Sequence, residues 1–212
     1  MNKLDLVCLV ADKNMEATIQ GLLSRWRALS IREIYFKTLV HPRHDPGCFH
    51  DSEQVLRPFH RCADHALVLL DGAWDGAPGN ASQLQSKLQS CLDNAFGLGW
   101  ARAVVIDPEL EAWVFSGSPH VENVFGWRGR QPSLRQALHQ QGYWPSNARK
   151  PTRPKEAVEY ALRESRTPRS SSLYRKLASI VSLQGCQDRA FLRFRSALQH
   201  WFGAGGTSPG GT

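Results

Sequence analysis

The sequence His-Ala-Leu-Val-Leu-Leu-Asp-Gly at residues 65–72 decides the fold. A short apolar run that stops at a polar residue and a glycine is typical of a β-strand buried on both faces. Residues 4–10 form a similar run before the polar turn at 12–14, and residues 101–106 form another before Asp107-Pro108. Residues 31–40 alternate between apolar and polar side chains, which predicts a further strand.

Helical spacing of apolar residues separates these predicted strands. The predicted helices are residues 15–29, 52–63 and 82–97, and residues 41–51 are a predicted loop. Alternating strands and helices predict a three-layer α/β/α domain, in which helices cover both faces of a mainly parallel sheet. Functional groups in such folds collect just beyond the carboxyl ends of the strands.

The second part of the chain differs from the first in charge. Residues 1–125 carry 11 Lys and Arg against 15 Asp and Glu, whereas residues 126–212 carry 15 against 4. Apolar spacing predicts helices at 155–165, 171–183 and 188–202, with Asp188 as an N-cap. We therefore predict an α/β domain at 1–125, a basic helical region packed on it at 126–202, and a disordered tail at 203–212.

Several classes of protein are not favoured by this sequence. The apolar run at 4–10 is too short for a signal peptide or a membrane span, so we expect no membrane association. The five cysteines are scattered, which favours reduced thiols in the cytoplasm and argues against a zinc ribbon. Neither a Walker A motif nor a GxGxxG motif is present, so ATP hydrolysis and dinucleotide binding are poorly supported.

Carboxylates follow three of the predicted strands. They are Asp12 and Glu16 after the first strand, Asp71 and Asp75 after the third, and Glu109 and Glu111 after the fourth. Clustered carboxylates resist ionisation unless a cation lies among them, and hard oxygen ligands suit Mg²⁺ or Mn²⁺. One or two such ions polarise a phosphodiester and activate water. The sequence therefore predicts a shared metal site at this edge of the sheet.

Most of these residues also have a simpler structural explanation. Asp12 could cap the following helix, Glu16 could be a first-turn charge favoured by the helix dipole, and Asp75 could form a turn. Asp71 resists such an explanation best, because it ends a wholly apolar strand. Residues 41–48 could supply a base, a phosphate contact or a metal ligand, but a plain surface loop explains them better.

Basic residues cluster in two segments of the second part. They are Arg149, Lys150, Arg153 and Lys155 in the first segment, and Arg166 and Arg169 in the second. Arginine and lysine near a helix start bind phosphate well, because backbone N–H groups there also point outward. Tyr143 and Trp144 could stack on a base, although burial in a core is commoner. The segments predict contact with nucleic acid or a partner protein; docking on the acidic half of the same chain is the alternative.

The strand, the acidic turn and the later Asp-Gly-x-x-Asp-Gly at 71–76 resemble the Toprim domains of topoisomerases, primases and overcoming-lysogenisation-defect nucleases. In that family a Glu follows the first strand, an Asp-x-Asp motif follows a later one, and these groups bind Mg²⁺. The resemblance implies that Asp12 or Glu16 replaces the Glu, and that Asp71 is the first Asp. Position 73 is Ala, so Asp75 would have to replace the second Asp.

Longer motifs resemble a small bacterial family, the fourth proteins of methylation-associated anti-phage defence systems. The motifs are Leu-Val-Ala-Asp-Lys-Asn-Met-Glu at 9–16, His-Asp-Pro-Gly-Cys at 44–48, Ile-Asp-Pro-Glu-Leu-Glu-Ala-Trp-Val-Phe at 106–115, Arg-Pro-Lys-Glu-Ala at 153–157 and Gln-His-Trp-Phe at 199–202. This resemblance implies a role in defence beside partner proteins. It does not by itself establish nuclease activity.

Two main hypotheses follow. The first is a Toprim-like defence component that acts on or senses nucleic acid, by metal-assisted phosphodiester hydrolysis if the site is active. Its metal ligands would be Asp12, Glu16, Asp71 and Asp75, and its catalytic candidates Asp12, Glu16, Asp71, Glu109 and Glu111. The second is a degenerate, non-catalytic Toprim-like sensor or adaptor, which the Ala at position 73 favours. A phosphohydrolase acting on small molecules is a third, weaker hypothesis.

Overall fold

A computed structural model describes residues 3–115 and 118–203 of the chain. Its central feature is one sheet of four parallel strands in the spatial order β2-β1-β3-β4. The strands are β1 (Leu4–Val10), β2 (Phe36–Val40), β3 (Ala63–Asp71) and β4 (Ala101–Ile106). The predicted α/β class with a parallel sheet is confirmed. The end of the predicted tail, residues 204–212, lies outside the described residues.

Ten α-helices and one 3-10 turn at Arg57–Phe59 accompany the sheet in the described part of the chain. The helices are α1 (Lys13–Leu23), α2 (Trp26–Leu29), α3 (His44–Leu56), α4 (Ala81–Phe96), α5 (Glu111–Val114), α6 (His120–Val124), α7 (Leu134–Gln140), α8 (Pro154–Ser165), α9 (Ser171–Ile180) and α10 (Arg189–Phe202). None of these helices has both the length and the apolar character that crossing a membrane requires.

The chain around β2 differs from the prediction. The strand is only five residues long, and the predicted loop at 41–51 contains the start of α3. The segment Asp45-Pro46-Gly47 is typical of a turn. Pro46 is instead in the first turn of α3, where a missing N–H costs nothing because it has no partner within the helix.

The order of the strands distributes the helices over both faces of the sheet. The connection from β1 to β2 runs towards one edge of the sheet, whereas the connections from β2 to β3 and from β3 to β4 run towards the other edge. Right-handed crossovers in opposite directions place helices on opposite faces. Accordingly, α1 packs on β1 and β2, whereas α3 packs on β1 and β3 and also contacts α4. The result is a three-layer α/β/α arrangement.

The helices after residue 126 pack against this domain and share its core. Helix α9 lies so close to α1 that a Cβ atom at Gly21 would be 2.7 Å from the carbonyl oxygen of Arg175. Helix α10 packs on β4 and α2, and Asp188 caps it as predicted. Tyr174 of α9 is 1% exposed and belongs to the core. Trp144 is 8% exposed, so it also belongs to the core and is not a free platform for a base.

Two glutamines of α4 occupy the outer edge of β4. Gln85 donates to the carbonyl oxygen of Ala103 at 2.9 Å and accepts from the N–H of Val105 at 3.0 Å. Gln89 donates to the carbonyl oxygen of Ala101 at 3.0 Å and accepts from the N–H of Ala103 at 2.9 Å. These side chains therefore bond β4 in the way that a further strand would.

Replacing Gln85 with Ala should lower the free energy of unfolding by about 1–3 kcal/mol, because two buried backbone groups lose their partners. The measurement is urea unfolding followed by circular dichroism. Gln54→Ala is the matched control, since Gln54 is an exposed residue of α3. Equal stability of the two variants would contradict this role for Gln85.

Candidate functional site

The strand order reverses between β1 and β3, and this reversal opens a crevice at the carboxyl ends of the two strands. Three aspartates surround it. Asp12 follows β1, Asp71 is the last residue of β3, and Asp45 comes from the first turn of α3. The fold thus brings together carboxylates from three separate segments of the chain.

Asp71 is fixed by a side chain of one neighbouring segment and by the backbone of another. Its own N–H donates to Oδ1 of Asp45 at 2.8 Å, and its Oδ1 accepts from the N–H of Leu110 at 2.8 Å. The next residue, Gly72, donates to the carbonyl oxygen of Ile106 at 2.6 Å. A Cβ atom at Gly72 would lie 2.9 Å from that same oxygen, so this close approach of the backbone requires glycine.

Asp45 is held beside Asp71 by an unusual turn. The preceding residue, His44, has a φ of 50°, a left-handed conformation that costs energy for a residue with a side chain. Its ring nitrogen Nδ1 lies 3.0 Å from the carbonyl oxygen of Ala11, at the end of β1. This contact ties the start of α3 to the strand that carries Asp12.

Asp12 caps α1, because its Oδ1 accepts from the N–H of Met15 at 2.7 Å. The simpler structural explanation of this residue is therefore confirmed. Capping engages only one of its two oxygens. In the described residues, the second oxygens of Asp12, Asp45 and Asp71 accept no side-chain hydrogen bond, and no Lys or Arg forms an ion pair with these three carboxylates.

The electrostatics of the crevice disfavour its full ionisation. Burial raises the pKa of Asp71 well above its ordinary value, and the charges of Asp45, Glu111 and Asp12 raise it further. Burial also raises the pKa of Asp45, again with a contribution from the charge of Asp12. Asp71 and Asp45 therefore hold their protons more tightly than an exposed aspartate does.

Glu111 has a different environment, although its charge also raises the pKa of Asp71. Only 6% of its side chain is exposed, and its Oε1 accepts from Nη2 of Arg169 at 2.7 Å and from the hydroxyl of Tyr174 at 2.6 Å. Arg169 also pairs with Glu159 at 2.9 Å. Glu111, a catalytic candidate, and Arg169, a nucleic-acid candidate, thus form one ion pair, in which the Glu111 carboxylate is buried and the Arg169 side chain is 34% exposed.

The side chain of Glu109 contacts the start of α8. Its Oε1 accepts from the backbone N–H of Lys155 at 2.9 Å, so it satisfies one of the N–H groups that are unpaired at a helix start. Burial raises its pKa, and the charge of Glu111 adds to the shift. A carboxyl group with a raised pKa keeps its proton to a higher pH than an exposed glutamate does, which suits a group that transfers a proton.

Glu16 and Asp75, expected with the other ligands, are placed differently. Glu16 pairs with Lys13 at 2.8 Å and accepts from the hydroxyl of Thr38 at 3.0 Å, so both of its oxygens have partners. Asp75 is exposed in the turn before α4, and no hydrogen bond or ion pair of the described residues involves its side chain. Within the same part of the chain, no hydrogen bond connects either residue with Asp71.

The remaining basic candidates divide into internally bonded and exposed residues. Lys150 donates to the carbonyl oxygen of Ala112 at 2.7 Å and to Oδ2 of Asp188 at 3.2 Å. Arg153 pairs with Glu156 at 2.7 Å, one turn along α8, but its side chain is exposed. Arg149, Lys155 and Arg166 are also exposed.

Sequence reasoning missed Asp45 as a member of the acidic group. Residues 41–48 are best explained, from the sequence alone, as a surface loop, so Asp45 has no assigned place relative to the sheet. A usable signal is present in the alternation of elements: the segment follows the second predicted strand, and therefore also starts at the carboxyl edge of the sheet. Only the tertiary contact of Asp45 with the N–H of Asp71 shows that it faces this crevice.

The donor chemistry of Asp12, Asp45 and Asp71 fits a hard divalent cation, because each retains one carboxylate oxygen that is not hydrogen-bonded by the described residues. The arrangement is not a preformed metal centre. Across residues 3–115 and 118–203, no group of three or more His, Cys, Asp or Glu side chains is placed to hold a metal ion.

Replacing Asp71 with Asn should stabilise the protein at pH 7. Because the pKa of this carboxyl is higher in the folded than in the unfolded state, stability falls as the pH rises through the folded-state pKa. The amide introduced by Asp71→Asn cannot ionise but can still accept from Leu110, so we expect a gain on the order of 1–2 kcal/mol at pH 7. The gain should shrink as the pH falls towards the ordinary value of 3.8.

Urea unfolding of wild type and Asp71→Asn at a series of pH values measures this effect. Asp75→Asn, in an exposed turn, is the control and should change stability little at any pH. A destabilised Asp71→Asn at pH 7 would show that the carboxylate is not under electrostatic strain.

Replacing Arg169 with Ala should lower the free energy of unfolding by about 1–3 kcal/mol, because the buried carboxylate of Glu111 loses its charged partner, while the exposure of Arg169 to solvent weakens the pair. The double variant Arg169→Ala/Glu111→Gln should recover part of this loss. Arg163→Ala is the control, since Arg163 pairs with Glu164 on the exposed face of α8. Thermal unfolding measures all three variants. If the double variant recovered no stability, the pairing of Glu111 with Arg169 would be contradicted.

Comparisons with known proteins leave the function to be argued from these contacts. No protein-family model, no curated protein and no solved structure matches the chain. The features that bear on function are therefore the positions of Asp12, Asp45 and Asp71, the basic residues of the second part, and the motifs at 9–16, 44–48 and 106–115.

Proposed function

We propose that this protein acts on or senses nucleic acid, and that it hydrolyses phosphodiesters with a divalent metal in the crevice between β1 and β3. One observation carries the proposal. Asp12, Asp45 and Asp71 come together from three segments, and each keeps one oxygen without a hydrogen bond from the described residues. The raised pKa of Asp45 and Asp71 adds support, because it comes first from burial and then from neighbouring carboxylates, and a bound cation would favour the ionised form of both groups.

The proposed ligand set differs from the one that the sequence suggested. Asp45 replaces Glu16 and Asp75, because Glu16 is already paired and Asp75 lies in an exposed turn. A Mg²⁺ or Mn²⁺ ion held by Asp12, Asp45 and Asp71 would polarise the phosphodiester and activate water.

The protein's own residues would contribute orientation and proton transfer. The backbone N–H groups of Met15, Asp71 and Leu110 each hold one oxygen of these three aspartates, which would leave the other oxygen for the ion. Glu109 is the candidate to hold a proton for the leaving group, since its pKa is raised. Basic residues of the second part would contact phosphates, and those that are exposed, such as Arg166, are the best placed for this role.

A role in anti-phage defence beside other defence proteins remains part of this proposal. It is supported by the motif resemblance alone, in particular by the segments 9–16, 44–48 and 106–115. The first two segments supply Asp12 and Asp45, and the third supplies Leu110, whose N–H donates to Asp71. Three motifs that carry the resemblance thus contribute to the crevice.

The alternative is a sensor or adaptor that binds nucleic acid or a partner protein without cleaving it. Specific observations favour this second function. Position 73 is Ala where a Toprim-like enzyme has an Asp, and Glu111 is already paired with Arg169 and hydrogen-bonded by Tyr174. The lack of a preformed group of three metal ligands in the described residues points in the same direction.

A cleavage assay on plasmid DNA and single-stranded RNA, with Mn²⁺ or Mg²⁺, distinguishes the two functions. We expect cleavage by wild type, and a rate at least about 100-fold lower for Asp71→Asn and Asp45→Asn, because each removes a charged ligand. Asp75→Asn should retain activity. The melting temperature should also rise on addition of Mn²⁺ in wild type and Asp75→Asn, but not in Asp71→Asn.

The possible results separate clearly. Equal cleavage by wild type and Asp71→Asn would place the activity elsewhere or in a contaminant, and would overturn the proposed site. Binding of nucleic acid without cleavage, in the presence of either metal, would support the sensor and overturn the enzyme. Loss of activity in Asp75→Asn together with Asp71→Asn would favour the ligand set based on the Asp-Gly-x-x-Asp-Gly motif.

A further inference from the structure

A second feature of the carboxyl edge of the sheet is a basic cleft beyond β4. Its volume is about 680 Å³, which is within the usual range of small-molecule sites. Val105 and Asp107, the start of α4 and the start of α10 all line it. Asp71 pairs with Ile106 in the sheet, so the cleft is adjacent to the acidic crevice.

The charge of this cleft is positive and largely uncompensated. Four cationic side chains line it against two carboxylates: Arg149, Lys150, Arg189 and Arg193 against Asp107 and Asp188. Asp188 is already engaged, because it caps α10 and pairs with Lys150 at 3.2 Å. The lining therefore carries an excess of guanidinium groups.

The three arginines have no carboxylate partner within the described residues. Arg193 donates to the amide oxygen of Gln85 at 3.1 Å, and Arg149 donates to the amide oxygen of Gln187. Arg189 forms no side-chain hydrogen bond or ion pair in this part of the chain. These three exposed guanidinium groups thus line one cleft with only neutral partners, and a bound anion would be attracted by all of them.

The position of Arg189 on α10 strengthens this argument. It is the first residue of a fourteen-residue helix, where the helix dipole is positive and a cation is unfavourable. The first residues of α4, Ala81 and Ser82, also line the cleft. A basic residue that is unfavourable for folding is better explained by a ligand than by stability.

We propose that this cleft binds the phosphate group of a nucleotide, with Arg149, Arg189 and Arg193 as the phosphate contacts. Paired guanidinium donors suit a phosphate oxyanion, and the volume of the cleft accommodates a nucleotide together with its phosphate. The phosphate belongs either to a free nucleotide or to the end of a nucleic-acid strand. The proposal deepens the proposed action on nucleic acid, because the cleft adjoins the acidic crevice, but binding here requires no metal.

Isothermal titration of the full chain in EDTA tests this proposal. The probes are AMP, adenosine, and a DNA dodecamer with either a 5′-phosphate or a 5′-hydroxyl group. We expect AMP or the phosphorylated dodecamer to bind, and their unphosphorylated counterparts to bind at least about tenfold more weakly. Tighter binding of AMP identifies a free nucleotide, whereas tighter binding of the phosphorylated dodecamer identifies a strand end.

The variants Arg189→Gln and Arg193→Gln should each weaken binding of the phosphorylated probe by about tenfold or more. Arg195→Gln is the matched control, because Arg195 is on the same helix and does not line the cleft. Arg189→Gln should also raise the melting temperature slightly, since it removes a cation from the helix start, and this rise shows that the variant is folded.

The outcomes can be separated from those of the metal site. Asp71→Asn should bind AMP and the dodecamers as wild type does, so a catalytically inactive protein can still confirm the cleft. Equal affinity for AMP and adenosine, unchanged affinity in both Arg189→Gln and Arg193→Gln, or no binding of any phosphorylated probe at about 1 mM would overturn the proposal.

Discussion

The constraint on which this structure depends is the position of an ionisable residue, Asp71, at the end of a strand that is otherwise mostly buried. Its backbone and side chain connect the strand to two other segments, through Asp45 and through Leu110. The same contacts that order the crevice therefore also bring negative charges together. The fold accepts an electrostatic cost at this point, as is common for sites that serve function rather than stability.

The charge difference between the two parts of the chain has more than one structural meaning. Part of the basic excess forms ion pairs within the chain, since Lys150 pairs with Asp188 and Arg169 pairs with Glu111. Another part, represented by Arg189, faces the cleft beyond β4. A single net charge for each part hides this division, because it counts paired and unpaired cations alike.

Much of the fold follows from local patterns, whereas the site does not. The apolar runs that form β1, β3 and β4 predict a parallel sheet, and with it the edge at which Asp12 and Asp71 lie. Asp45 was missed because Pro46 and Gly47 are typical of a turn, although a proline is tolerated in the first turn of a helix. Contacts between distant positions of the chain are decided by packing, and no pattern in one sequence reveals them.

The glutamine side chains on β4 have a consequence for assembly. A sheet edge with unbonded N–H and carbonyl groups is a template on which another chain can add a strand. Gln85 and Gln89 occupy these groups at Ala101, Ala103 and Val105, so the sheet is closed to growth on that side. A second molecule could therefore extend the sheet only at the opposite edge, which β2 forms. Two side-chain amides of α4 thus determine which edge of the sheet is open to pairing.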